Sequence, residues 1–355
     1  MKRLVLIHAR LRAIGLAAVL LALVGPSPAH AQNLPQAKTD VVVLSNGDRM
    51  TGDIKYLSQG KLSFDMSSTG IVSIKWNRVV ALTTAWLFEV ETATGERLIG
   101  TIAPGAPETL VVTTEAGDRQ TLAVESIVGL QPIRKSFFSR LDGAIDLGGS
   151  YTQSSGVAQL WINFYTKARR PGFEWRISFD DYVTFQEGAS TSEQLTSSFS
   201  YARYVSNRWA VFGLAQLERN PDLGFDIRSS LIGGAERVLL RSNRSDMTLA
   251  AGLGVAEERP TEGEAETQLP ALLGFRHSLF IYDFPKTTLE TKFFAYPVLN
   301  QWGRWRIRAD GTIKREIFKD FTVGLTIYES FDSNPSTADA KRNDVGTTLS
   351  IGYIF

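Results

Sequence analysis

The stretch Trp305-Arg306-Ile307-Arg308-Ala309-Asp310 alternates apolar and charged side chains with a period of two. Successive side chains of a strand point to opposite faces, so Trp305, Ile307 and Ala309 share one face while Arg306, Arg308 and Asp310 share the other. The pattern recurs upstream. Leu160, Ile162 and Phe164 oppose Trp161, Asn163, Tyr165 and Lys167; Trp175, Ile177 and Phe179 oppose Glu174, Arg176, Ser178 and Asp180. It recurs at the chain end, where Val345, Thr347, Leu349, Ile351, Tyr353 and Phe355 oppose Gly346, Thr348, Ser350 and Gly352. The run Trp209 to Leu217 alternates poorly.

Working outward, strand-like runs begin near Leu141, Ala158, Phe173, Gln194, Trp209, Phe225, Asp246, Thr267, Thr288, Trp305, Phe321 and Val345. Five connections are tight: Arg169-Arg170-Pro171-Gly172, Ser206-Asn207, Ser242-Asn243-Arg244-Ser245, Phe284-Pro285-Lys286 and Phe318-Lys319-Asp320. Between them fall longer ones, in strict alternation. An even number of strands, with short turns on one side and longer loops on the other, is the pattern of a bacterial outer-membrane barrel. A soluble β-sandwich also has regularly spaced strands, but they are shorter and lack this alternation. Residues 141–355 are therefore expected to form a twelve-stranded antiparallel transmembrane β-barrel. A charge facing lipid at midplane costs roughly 2–4 kcal/mol, which assigns the charged face to the lumen.

The chain start fits that address. Lys2, Arg3, Arg10 and Arg12 precede the apolar run Ala13 to Val24, and Ala29-His30-Ala31 is an A-x-A site, so residues 1–31 read as a signal peptide cleaved between Ala31 and Gln32. The apolar run is short for a span, which needs about 20 residues. Without the leader the formal charge is −3, which argues against a nucleic-acid partner. The absence of cysteine excludes disulfides and thiolate metal sites.

Between leader and barrel lies a duplication. After a polar linker (32–39), Asn46-Gly47-Asp48-Arg49-Met50-Thr51-Gly52-Asp53-Ile54 matches Thr94-Gly95-Glu96-Arg97-Leu98-Ile99-Gly100-Thr101-Ile102 at an offset of 48. Leu62, Ile74, Val79 and Leu82 match Leu110, Leu122, Ile127 and Leu130 at the same offset. Asn46-Gly47 is a hairpin signal, and Gly52 and Gly100 inside strands mark bends. Residues 40–132 are expected to be two tandem, strongly bent SH3-like or Sm-like β-modules in the periplasm. Residues 133–140, basic and aromatic, are expected to meet the membrane interface.

The segments Val41-Val42-Val43-Leu44-Ser45-Asn46-Gly47-Asp48-Arg49-Met50-Thr51-Gly52, Ile74-Lys75-Trp76 and the terminal Gly352-Tyr353-Ile354-Phe355 carry a family resemblance. The chain resembles the domain of unknown function 481 family (YdiY-like), whose members are often labelled salt-induced outer membrane proteins. The resemblance implies a fold and an address; it brings no substrate, reaction or catalytic residues. The aromatic end, Tyr353 and Phe355, resembles the closing strand of outer-membrane proteins, which implies recognition by the barrel assembly machinery.

No catalytic constellation, cofactor or metal site is expected. His277, alone after the leader, falls on the lipid face near the periplasmic end of its strand, and no G-x-S-x-G elbow accompanies it. The acidic run Glu257 to Glu266 reads as a solvated external loop that could approach lipopolysaccharide through cations. Lumen candidates are the basic Lys167, Arg176, Arg228, Arg276, Lys292, Arg306, Arg308 and Lys314 and the acidic Glu174, Asp180, Glu218, Glu236, Glu258, Glu290 and Asp310. Their signs nearly balance, whereas a strongly selective porin shows one sign at its constriction. Two functions fit: a narrow channel for ions or small polar solutes, or a barrel-anchored adaptor whose periplasmic modules bind an envelope protein or the cell wall.

Overall fold

The computed structural model describes residues 39–133, 141–170, 172–186, 192–319, 321–335 and 342–353. The leader, the cleavage site at Ala31 and Gln32, nearly all of both expected linkers and Phe355 lie outside the described residues.

The first half holds β1 (Asp40–Leu44), β2 (Arg49–Ser58), β3 (Lys61–Met66), β4 (Gly70–Lys75) and β5 (Val79–Thr83). It continues with β6 (Phe88–Thr92), β7 (Arg97–Pro104), β8 (Thr109–Thr114), β9 (Arg119–Ala123) and β10 (Ile127–Pro132). The 48-residue offset relates β1, β2, β3 and β5 to β6, β7, β8 and β10, and one 3-10 turn (Trp76–Arg78) to the other (Val124–Ser126). In each copy the last strand returns beside the first: β5 pairs with β1, and β10 with β6.

The duplicated apolar positions explain why both copies fold alike. Val42 and Val90, Ile54 and Ile102, Leu62 and Leu110, Val79 and Ile127, and Leu82 and Leu130 are all buried in one common core. Gly52 is where β2 leaves β1 for β3, and a Cβ there would lie 2.7 Å from the Asp65 carbonyl oxygen. A Cβ on Gly100 would lie 2.3 Å from the Thr113 carbonyl oxygen. The bend therefore needs glycine in both copies. The copies are fused: Leu130 pairs with Leu57, Thr84 N donates to Ile102 O at 2.9 Å, and the buried Trp76 Nε1 donates to Val124 O at 2.8 Å.

The second half is an antiparallel meander of β11 (Leu141–Thr152), β12 (Val157–Arg170), β13 (Phe173–Gln186), β14 (Ser192–Tyr204), β15 (Trp209–Asn220), β16 (Phe225–Arg241) and β17 (Ser245–Pro260). A short β18 (Glu266–Gln268) follows, then β19 (Ala271–Ile281), β20 (Thr287–Pro297), β21 (Trp305–Phe318), β22 (Phe321–Asp332) and β23 (Asn343–Tyr353). Sheet order follows chain order, with β18 pairing beside β17. Among the described residues no ladder joins β11 to β23.

Two expectations need correction. The strand expected from Thr267 is interrupted, because Pro270 has no N–H and makes only an isolated bridge to Val298. The acidic run is not all loop: Glu257 to Pro260 complete β17, and Glu266 opens β18.

The tandem unit seats on three turns of the meander. At the β16–β17 turn, Asn243 Nδ2 donates to Glu125 O (3.0 Å) and Ile127 O (2.8 Å). Beside it Arg241 Nη1 reaches the buried Glu91 Oε1 at 2.6 Å, and Arg97 Nη2 reaches the same oxygen at 2.8 Å. Arg97 also lies 3.9 Å over the Tyr204 ring, leading into the β14–β15 turn. At the β19–β20 turn Asp283 accepts from Lys75 Nζ (2.8 Å) and Asn77 Nδ2 (3.0 Å), and Lys61 sits 4.0 Å over Tyr282. The hydrogen bonds from Lys75 and Asn77 hold the Asp283 carboxyl below its ordinary range, while burial pushes the Tyr282 hydroxyl up.

Repeat symmetry is broken where the unit touches these turns. Gly95 (φ 87) lies against Asn207, where a Cβ would be 1.9 Å from the carbonyl oxygen; its counterpart Gly47 (φ 90) has open space around that position. Gly60 (φ 69) lies against Asn243, a Cβ there falling 2.3 Å from the carbonyl oxygen, while its counterpart is Glu108 (φ 58). One turn from each copy makes the contact, and among the described residues its equivalent is exposed.

Candidate functional site

The registers divide the large sheet into two faces. One row runs through Ile145, Phe164, Phe179, Ser197, Leu217, Ser229 and Glu257, and through Leu249, Phe275, Phe293, Ala309 and Glu329 farther round. On this face Leu160, Leu231, Leu253, Leu273, Val345, Leu349 and Ile351 are all exposed. Its charges fall toward the strand ends: Asp181, Glu193, Arg219, Glu257 and Glu329 at the long-loop end, Arg203, Arg237 and Arg315 at the tight-turn end. Leu249 to Val255 on β17 is six steps, about 20 Å at ~3.4 Å each, close to the ~25 Å apolar band of an outer-membrane barrel.

The other face is polar and concave. Residues of β14 and β22, near opposite ends of the sheet order, line one cavity of ≈ 150 Å³, so the sheet curls with this face inside. Its curvature has a repeated device. Trp161 lies over Gly148, Phe212 over Gly234, Phe294 over Gly274 and Tyr328 over Gly346, each pair directly across a ladder. The missing side chain lets the partner ring lie down against the backbone. Phe212 also explains the poor alternation of β15: its inner position holds an aromatic ring where a polar residue was expected.

At the long-loop end of this face Glu258 is fully buried and faces three guanidiniums. Arg228 Nε donates to it at 2.6 Å and Arg228 Nη2 also pairs with it; Arg304 Nη2 reaches it at 3.0 Å, and Arg306 Nη1 stands 3.9 Å away. Arg304 is held in turn by Asp332 (2.8 and 3.2 Å) and Gln301 (3.1 Å), and Arg228 faces Glu218 at 3.7 Å. Arg228 also lies 3.9 Å over the Phe225 ring, a cation–π contact.

The sequence-predicted residues distribute over this inner face. Arg228 and Arg306 belong to the Glu258 cluster. Arg308 lines the same cavity, and its charge acts on Asp180 of β13. Asp180 and Arg176 line a second cavity of ≈ 460 Å³ with Asp146 and Lys167. Glu236 pairs with Arg276 at 2.8 Å, reaching over the small Ala250 between them. Lys292 and Asp310 are cross-strand neighbours in the Arg276 row, while Glu290 and Lys314 lie nearer the tight turns, opposite Thr312 and Thr288. Sequence reasoning missed Arg304, which sits in a loop where alternation gives no signal.

His277 lies on the outer row near the tight turns, and its Nε2 is 3.1 Å from Ser245 Oγ. Among the described residues no carboxylate approaches the ring to complete a triad.

These features define a class: an all-β protein with a curled antiparallel sheet, apolar outside and charged inside, carrying a fused tandem β-unit on its tight turns. A family model described as "Protein of unknown function, DUF481" matches residues 145–355, and the chain belongs to that family. No curated protein matches. Among solved structures, "NanC porin structure in rhombohedral crystal form" is similar at TM-score 0.35 and 9% identity, covering 60% of this chain and 100% of that one. A likeness that loose decides nothing about function.

Proposed function

We propose that the curled sheet closes β11 onto β23 as a twelve-stranded barrel in the outer membrane, and that its lumen is a narrow path for ions or small polar solutes. The observation that carries this reading is the two-faced sheet: an exposed apolar row outside and a charged, concave row inside. Uncovered in water, such an apolar belt far exceeds the few hundred Å² that monomers tolerate. The tight turns and the tandem unit then lie in the periplasm, and the loops face outward toward lipopolysaccharide. Tyr353 and Phe355 are the residues offered to the barrel assembly machinery. The tandem unit reads as two SH3- or Sm-like modules, since each has five strands and a 3-10 turn before a last strand that returns to the first. No enzyme activity is proposed.

The Glu258 cluster occupies one wall and narrows the path there. Single-channel recording of the folded protein in a planar bilayer tests the reading. Discrete steps whose size changes in Arg308→Gln support it; silence from protein with heat-modifiable mobility removes it.

A second reading rests on the broken repeat symmetry. The Gly47 hairpin and the Glu108 turn are copies of the seated turns; among the described residues Gly47 has open space beside it and Glu108 is exposed. An adaptor would offer that side to an envelope protein or the cell wall. Affinity capture by peptidoglycan that fails in a variant with a substituted Gly47 hairpin would support it.

A further inference from the structure

The inner cavity has an uneven charge ledger. Its charged lining comprises Arg219, Arg228, Arg306, Arg308 and Arg342 against Glu218 and Asp332. Arg219 is occupied by Glu193 and Asp226. Glu218, Asp332 and the buried Glu258 are matched by Arg228 and Arg304, with Arg306 as the third and most distant cation. That balances three acids with three bases and, among the described residues, leaves Arg308 and Arg342 lining the cavity without an ion pair. Asp180 acts on Arg308 from β13 but makes no ion pair with it. Arg306 adds a second sign of incompleteness: its Nε is buried and has no hydrogen-bond partner. Its nearest ring, Tyr296, is 5.8 Å away.

We propose that this cavity is a binding subsite for a small organic anion, one carrying a carboxylate or phosphate group, passing through the lumen. The inference deepens the channel reading and rests on the same inner face. Guanidinium forks match the oxygens of carboxylate and phosphate, and in a partly enclosed site they bind far better than in open water. The neutral groups around the cations, Gln194, Gln216 and Tyr296, can both donate and accept, which suits hydroxyls on the same solute. The cavity, ≈ 150 Å³, has room for several waters and so for a small polar anion.

The test uses full-length folded protein in detergent and two probes, inorganic phosphate and gluconate, titrated calorimetrically at low ionic strength. Saturable binding is expected, weakened about tenfold by Arg308→Gln and by Arg342→Gln and unchanged by Lys292→Gln, which lies outside the cavity. Neither arginine holds Glu258, so both variants should keep heat-modifiable mobility. In a planar bilayer under a KCl gradient, the reversal potential should indicate chloride preference that both variants reduce. Current steps without chloride preference, together with no heat from either probe, overturn the anion site while leaving the channel. Probe binding lost in the variants, from protein that gives no steps, supports the site and removes the channel.

Discussion

Replacing Glu258 by Gln removes one charge from a fully buried polar group of the large sheet while keeping its shape. The carboxylate is fully buried, with Arg228 Nε at 2.6 Å and Arg304 Nη2 at 3.0 Å, and those side chains are themselves only 10% and 3% exposed. Breaking a buried pair costs about 3–5 kcal/mol, because the partner stays buried without compensation. The amide oxygen keeps one acceptor, worth about 1 kcal/mol, and Arg304 keeps Asp332. The expected loss is therefore about 2–4 kcal/mol. Urea unfolding of vesicle-inserted protein, followed by the fluorescence of its seven tryptophans, measures it. The denaturant slope should stay constant while the midpoint falls. Arg276→Gln is the internal control, since its pair with Glu236 is half-exposed on the arginine side (47%) and should contribute under about 1 kcal/mol. Equal losses in the two variants would refute the assignment of Glu258 as the hub of the inner wall.

Three further outcomes follow from the tandem unit. Trp76→Phe should cost about 1–3 kcal/mol in the thermal or denaturant stability of that unit, because it leaves the buried Val124 carbonyl without its donor. Cysteines introduced at Asn77 and Asp283, whose native side chains meet at 3.0 Å, should be joined by a short thiol-reactive cross-linker in this cysteine-free chain; adding Gly95→Ala should cut the yield, whereas Gly47→Ala should not, although both change a left-handed glycine. Asp283 has a depressed folded-state pKa, so its contribution is present above the ordinary Asp value of about 3.9 and is lost as pH falls through the lower folded value. The melting difference between wild type and Asp283→Asn should close over that acid range, and should be small, because the pair is partly exposed.

Much of this architecture is legible in the chain because strands and repeats both have fixed periods. The period of two in Trp305 to Asp310 assigned both faces of β21, and the offset of 48 anticipated the elements of the second copy from the first. Where a residue type breaks the period, the reading slips. Pro270 interrupts the strand expected from Thr267, and Phe212 puts an aromatic ring on the inner face because Gly234 makes room for it. Glu258 lies in an acidic run that reads as loop, and alternation also puts it among the lumen acids; it is the centre of the inner cluster. Its partners come from β16 and from the loop before β21, and no local pattern in the sequence pairs positions that far apart. The seating of Asn243 on the Ile127 carbonyl is equally invisible, with one trace: Gly60 stands where the other copy has Glu108.

The central claim is that one face of the large sheet meets lipid and the other meets water, and spin labels on single cysteines of β21 test it most directly. Labels at Ala309 and Ile313 in the vesicle-inserted protein should be accessible to membrane-dissolved oxygen and shielded from a water-soluble nickel chelate. Labels at Arg308 and Thr312 should show the reverse, so that accessibility oscillates with a period of two. Both rows equally accessible to the chelate would contradict the account, and would make the sheet a soluble structure whose apolar face is covered by something other than a membrane.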